Sequence, residues 1–318
     1  MIPPKKEPVS LWSRVGTFFT VAGKIVSGLF SLLIILFFAL AFFGSSSLQS
    51  GNVAIVPLFG EIMVGGSSGI FGSAVASSDD IVSWIDSATR NDDVKAIILD
   101  IDSPGGSPVA SKRIVDAVKR ARIAGKPVVA VIGETGASGA YWVASSADTI
   151  FVDELSVTGS IGVVGSYLDF SGFLDDHNVT YQRLVAGDLK DAGSPYKELN
   201  SRERSKIQEK INLIYEFFVA DVAKNRNMTV KDVKVLADGF IFLGSEAVKN
   251  GLADNIGGEK TAEQFIADEL QIPVESFRYE KPKGFLQALS GTLNNLGFSV
   301  GKGIGSSLNS NDGIVVRT

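Results

Sequence analysis

The sequence contains no cysteine and a single histidine, His177. The first absence removes disulfides, a thiol nucleophile and thiolate metal sites, and the second removes every multi-histidine metal centre. Any hydrolytic chemistry is left to hydroxyls, carboxylates and lysines. Positive charge is also scarce: 30 Lys and Arg stand against 35 Asp and Glu in 318 residues, a formal charge of −5, which argues against nucleic acid as a partner. Charged residues make up 20% and hydrophobic ones 45%, too apolar for a disordered chain, so a folded core is expected.

Mean hydropathy is +0.22, and the excess is concentrated near the N-terminus. Residues 25–43 (IVSGLFSLLIILFFALAFF) carry no charge, and such a run is long enough to cross a hydrocarbon core of roughly 30 Å as a helix. Lys5, Lys6, Arg14 and Lys24 precede it against one acid, Glu7, and no charge follows until Glu61. The positive-inside rule then puts residues 1–24 in the cytoplasm and the rest of the chain outside it, tethered to the lipid bilayer of the cell membrane as a single-pass protein. A cleaved signal peptide is the competing reading, with Ala39-Leu40-Ala41 as the cleavage motif, but the apolar run exceeds the usual h-region.

Beyond a linker at 44–51, β-rich runs alternate with amphipathic stretches, the pattern of an α/β domain over residues 52–271. Strands are expected at 53–59, 95–102, 128–132, 149–152, 162–166 and 179–186. Helices are expected from Ser77 or Ser78, over 108–124, across YWVASSA, and from Asn200, Thr229 and Ser245, where Asn200 and Glu203 form a capping-box pattern. Residues 272–318, rich in Gly, Ser and Asn from Gly284 onward, read as a flexible tail, with a short helix docking on a neighbouring subunit as the alternative.

Three segments could carry chemistry, each after an expected strand. In Asp102-Ser-Pro-Gly-Gly-Ser107, paired glycines allow positive φ and let amide N–H groups point into a cleft, half of an oxyanion hole, or simply make a tight turn. In Gly136-Ala-Ser138-Gly139-Ala, a serine at a strand-to-helix corner can expose Oγ beside the Gly139 N–H; an ordinary helix N-cap is the plainer reading. No Lys-Ser or Lys-Thr follows, so a phosphate loop fails. A nucleophilic serine needs a base. His177 lies in a polar stretch that reads as a surface turn, whereas Lys190, in AGDLKDAGSP, is the better candidate, provided its amine is held neutral. Asp100 and Asp102 lack a third ligand and read as turn-holding residues.

SPGG at 103–106, GASGAYW at 136–142, TGSIGV at 158–163 and AGDLKDAGSP at 186–195, in this order behind an N-terminal anchor, resemble peptidase family S49, the signal peptide peptidases. The resemblance spans about residues 50–270. It implies a crotonase/Clp-protease-like α/β fold behind a transmembrane helix, with one catalytic domain per chain, no cofactor and no metal. It makes Ser138 the nucleophile, Lys190 the general base and Ser160 the residue orienting the lysine. The Gly139 N–H and that of Gly105, or alternatively Gly106, would form the oxyanion hole. The implied substrates are extended apolar peptides, remnant signal peptides above all, and the implied assembly is a homo-oligomeric ring. A non-catalytic membrane scaffold of the same fold and a crotonase-type acyl-CoA enzyme are the rival readings; export from the cytoplasm disfavours the second.

Overall fold

The computed structural model describes residues 20, 23–35, 50–65 and 75–280. Residues 23–35 form helix α1, whose side chains are exposed; residues 36–43 of the expected span lie outside the described residues. No helix among the described residues is long and apolar enough to cross a membrane. The segment from 281 onward, which holds most of the expected tail, also lies outside them.

Ser50–Lys281 form one compact unit built on a mostly parallel sheet. Strands β1 (Val53–Phe59), β4 (Ala96–Ser103), β5 (Val128–Ala137), β6 (Thr149–Val152), β9 (Asn255–Ile256) and β10 (Ser276–Arg278) run in the order β10-β1-β4-β5-β6-β9. Strand β7 (Val157–Gly159) pairs in parallel with the C-terminal part of β5, Thr135–Ala137, and antiparallel with β8 (Ile241–Leu243). Strands β2 (Glu61–Met63) and β3 (Val75–Ser77) form a separate pair. The edge strand β10 arises from residues assigned in sequence to the tail: three residues paired in register with Val53–Ile55 close this side of the sheet.

Apolar faces explain the layering. On β4, Ile97, Leu99 and Ile101 join a large core with helices α2 (Ser78–Arg90), α3 (Pro108–Ile123), α4 (Gly139–Ser145) and α6 (Ser201–Asn225). Ala96 and Ile98 face the other way, onto Ala262 and Ile266 of α9 (Glu259–Leu270). A strand buried on both faces reads as a near-continuous apolar run, as KAIILDID does. Caps set the helix starts: Ser77 Oγ accepts the Asp80 N–H, Ser107 caps α3 ahead of Pro108, and Asn200 and Glu203 cap α6 reciprocally. Short helices α7 (Val230–Leu236) and α8 (Gly244–Lys249) follow α6 at the expected places.

Two expected strands do not form. Residues 162–166 and 179–186 are irregular, and the segment between β7 and α6 holds only the short helix α5 (Ser171–Asp176). Alternating apolar residues supply one half of a strand, and the other half is a backbone partner. Here Ser160, at φ 49°, turns the chain away from β7, and Val164 (89% exposed) and Leu184 (94%) are left uncovered by any strand.

Candidate active site

Strand β5 ends at Ala137 and helix α4 begins at Gly139, which places Ser138 at the corner with φ 54° and ψ −124°. A non-glycine residue at positive φ is strained by about 1–3 kcal/mol and persists only where neighbours hold it. Two bonds do so: the Ser138 N–H donates to the Gly159 carbonyl at 2.8 Å, and the Ser138 carbonyl accepts the Trp142 N–H at 3.0 Å. Ser138 stands at the N-cap position, yet its side chain makes no capping bond. The hydroxyl is thereby left for another task.

The SPGG turn lies directly against this corner. A Cβ on Gly105 would sit 2.8 Å from both the Gly139 N and the Ser138 Cβ, so only glycine permits the approach. At φ +102°, Gly105 donates its N–H to the buried Ser103 Oγ at 3.2 Å and accepts the Ile62 N–H at 2.8 Å. Gly106 backs onto β2, where a Cβ would collide with the Ile62 backbone, and it lines the cavity at Ser138. Of the two candidate glycines, then, Gly105 has its N–H engaged behind the turn, and Gly106 faces the cavity beside Gly139.

That cavity, about 260 Å³, is lined on its polar side by Ser138 and Ser160. Its apolar wall comes from Pro108, Trp142, Val163, Val164, Ile214 and Phe218. Ser160 shares with Ser138 a positive φ; its N–H donates to the Phe240 carbonyl at 2.9 Å and its Oγ to the Gly239 carbonyl at 3.2 Å. The loop at Gly239 thus fixes Ser160 on the cavity rim. The wall residues on α6 went unnoticed in sequence, because Ile214 and Phe218 lie some 80 residues from Ser138 in a helix whose pattern shows only that it packs.

Lys190 is not at the cavity. Its side chain is exposed and its amine makes no hydrogen bond or ion pair among the described residues, while its backbone N–H donates to the Gly187 carbonyl at 3.0 Å; it is not among the residues that line the cavity with Ser138 and Ser160. The loop around it is nevertheless held. Arg183 donates to both carboxylate oxygens of Asp191, at 2.6 and 2.9 Å, and Lys197 spans Asp191 (4.0 Å) and the buried Glu203 (2.6 Å). The Arg183 hydrogen bond holds the Asp191 carboxyl below the usual carboxylate range, and the Lys197 bond does the same for Glu203.

His177 is exposed at the end of α5, with Nδ1 against the Phe173 carbonyl at 2.8 Å, and it makes no contact with Ser138. Asp100 is engaged by Arg278 of β10, two strands away, and Asp102 accepts the Thr135 N–H of the adjacent β5 at 3.1 Å, so each carboxylate ties down another strand of the sheet. Among the described residues no group of three or more His, Asp and Glu could hold a metal ion.

Comparison with known proteins gives the same direction as the motifs. Residues 120–272 match the profile of peptidase family S49. A protein of Enterococcus faecium with the provisional name signal peptide peptidase SppA is 35% identical over 240 residues, covering 73% of this chain and 70% of that protein. A provisionally named protease of Methanocaldococcus jannaschii is 33% identical over 244 residues, covering 76% of each chain. Protease 4 of Haemophilus influenzae is 32% identical over 233 residues, 72% of this chain and 37% of the longer relative. Its glycine-lined serine corner and these similarities together place the chain in peptidase family S49.

Proposed function

We propose that this protease is a serine endopeptidase in which Ser138 is the nucleophile and Lys190 the general base, with a crotonase/Clp-like arrangement of the α/β core. The observation that carries the reading is the strained, uncapped Ser138 beside two glycine N–H groups in one cavity. Ser138 Oγ attacks the scissile carbonyl carbon while its proton passes to the neutral Lys190 amine. The carbonyl oxygen, now negative, is held by the Gly139 N–H and by that of Gly106, the donor that faces the cavity. Collapse expels the amine, which takes the proton from Lys190, and leaves an acyl ester on Ser138. Water then repeats the sequence, with Lys190 drawing its proton, and releases the acid. Ser160 orients the lysine amine from the rim.

The lysine comes from a second copy of the chain. Within one chain Lys190 is exposed and apart from Ser138, yet its loop is braced by Asp191 and Glu203. The segment bearing it exposes Val164, Leu168, Phe173 and Leu184, an apolar surface that a free monomer would leave in water. A homo-oligomeric ring covers that surface and delivers Lys190 to the neighbour's cavity.

The substrates are extended apolar peptides, among them signal peptides left in the bilayer. The apolar wall of the cavity supports this, as does the uncharged run at 25–43, read as a single-pass anchor with residues 1–24 cytoplasmic and the catalytic domain on the outer face of the cell membrane.

The test is labelling with a fluorophosphonate, which forms an ester with an activated serine. One adduct per chain is expected on Ser138, absent in Ser138→Ala, with peptide hydrolysis falling by at least about 10³ in that variant. A wild-type chain that is folded but neither labels nor hydrolyses peptides would instead be the non-catalytic scaffold.

A further inference from the structure

Trp142 is four residues after Ser138 on the same short helix, and its ring forms part of the wall of the cavity in which Ser138 lies. It stacks face to face on Phe218, with centroids 4.8 Å apart and planes 15° from parallel. Phe218 lines the same wall from α6. One turn further along α6, Asp221 accepts the Trp142 indole N–H on one carboxylate oxygen at 3.0 Å. Its other oxygen receives Lys119 of α3 at 2.9 Å. Trp142 is only 4% exposed, and the Asp221 and Lys119 side chains are 18% and 25% exposed. One carboxylate therefore joins three helices and adds a directional bond to a ring that the stack orients only by its plane.

We infer that Asp221 is a positioning residue for substrate selection: by holding the Trp142 indole N–H it sets the ring as a fixed wall, and so sets which apolar side chain enters the cavity beside Ser138. The inference rests on the reading of that cavity as the place where a substrate side chain docks. An indole N–H deprived of its acceptor inside an apolar wall must seek another, and the space open to it is the cavity. Turning inward, the ring would exclude a large side chain and leave room for a small one. Lys119 neutralises the carboxylate without touching the cavity.

The experiment measures binding rather than turnover. Full-length Ser138→Ala protein is titrated with acetylated product-like peptides that end in leucine or in alanine, and the ratio of the two affinities is read. Asp221→Leu should weaken the leucine peptide about tenfold and change the alanine peptide less than twofold. Asp221→Asn, which keeps an oxygen for the indole, and Lys119→Met, which breaks only the ion pair, should keep the ratio within twofold of the parent. Trp142→Phe, which retains a ring for the stack but has no N–H to orphan and a smaller wall, should not lower the ratio, and adding Asp221→Leu to it should leave the ratio unchanged.

A ratio unchanged in Asp221→Leu, or lowered equally in Lys119→Met, would overturn the inference, because either result makes the carboxylate a general brace. Failure of both peptides to bind the parent would overturn it too. Should the selectivity appear as expected while wild-type protein hydrolyses nothing, the peptidase reading falls and the role of Asp221 stands.

Discussion

Ser138 holds a conformation that its side chain disfavours, and its neighbours are cut to fit. Gly105 lies directly against it, and behind Gly139 the Ser111 hydroxyl is buried without a hydrogen-bond partner among the described residues. In most helices Gly→Ala gains up to about 1 kcal/mol. At Gly139 the new methyl would run into Ser111 Oγ. Gly139→Ala should therefore destabilise the protein by about 1–3 kcal/mol in urea denaturation and suppress activity as the corner shifts. Ser111→Ala alone should be neutral or slightly stabilising, since it deletes an unpaired polar group, and combined with Gly139→Ala it should recover part of the loss. Additive losses in the double variant would contradict the contact. At this scale the sequence was informative about type and silent about direction: GASGA and SPGG announced a serine among glycines, but which peptide faces the cavity depends on Ser103 taking the Gly105 N–H, a bond no motif encodes.

At the scale of elements, caps and buried strands were legible because their signals are local. Asn200 and Glu203 marked the start of α6, and the unbroken apolar run KAIILDID marked a strand with both faces covered. The segment between Ser160 and Asn200 was misread, since VVG and VTYQRLVA have the composition of strands but no strand partner among the described residues. What holds this segment is charge. Asp191 and Glu203 have carboxyls lowered by Arg183 and Lys197, so their stabilisation is complete above the unfolded values of about 3.9 and 4.3 and is lost as pH falls through the lower native values. Hydrogen exchange over residues 183–197, normalised to intrinsic rates, should be slowed at pH 6 and should approach unprotected rates in strong acid. Asp191→Asn should reproduce the acid behaviour of this loop at neutral pH while leaving β4 and β5 protected. Equal protection in wild type and variant would remove the carboxylate from the loop's support.

For the whole molecule, the alternation of strands and helices was enough to read an α/β domain, and order among four weak motifs was enough to read its family. Neither could show that one of the four motifs would lie apart from the other three in one chain. SPGG, GASGA and TGSIG meet at the ends of β4, β5 and β7, but AGDLK stays outside on an exposed segment. Sequence order carries no information on which copy a side chain serves. The proposed association should be visible directly: the protein in detergent should sediment as a closed oligomer, and charged substitutions at Leu168 and Leu184, exposed and outside the cavity, should release inactive monomers with little loss of thermal stability. Monomeric wild-type protein with full activity would argue for a dyad closed within one chain.

The most direct measurement mixes two inactive proteins. Ser138→Ala retains Lys190, and Lys190→Ala retains Ser138; each alone should be inactive. Dissociated, combined one to one and reassembled, they should regain about a quarter of the wild-type rate per chain, because a random ring juxtaposes an intact serine with a neighbour's intact lysine at about one interface in four. No recovery from a mixture shown to have exchanged subunits would contradict a Ser138–Lys190 site shared between copies.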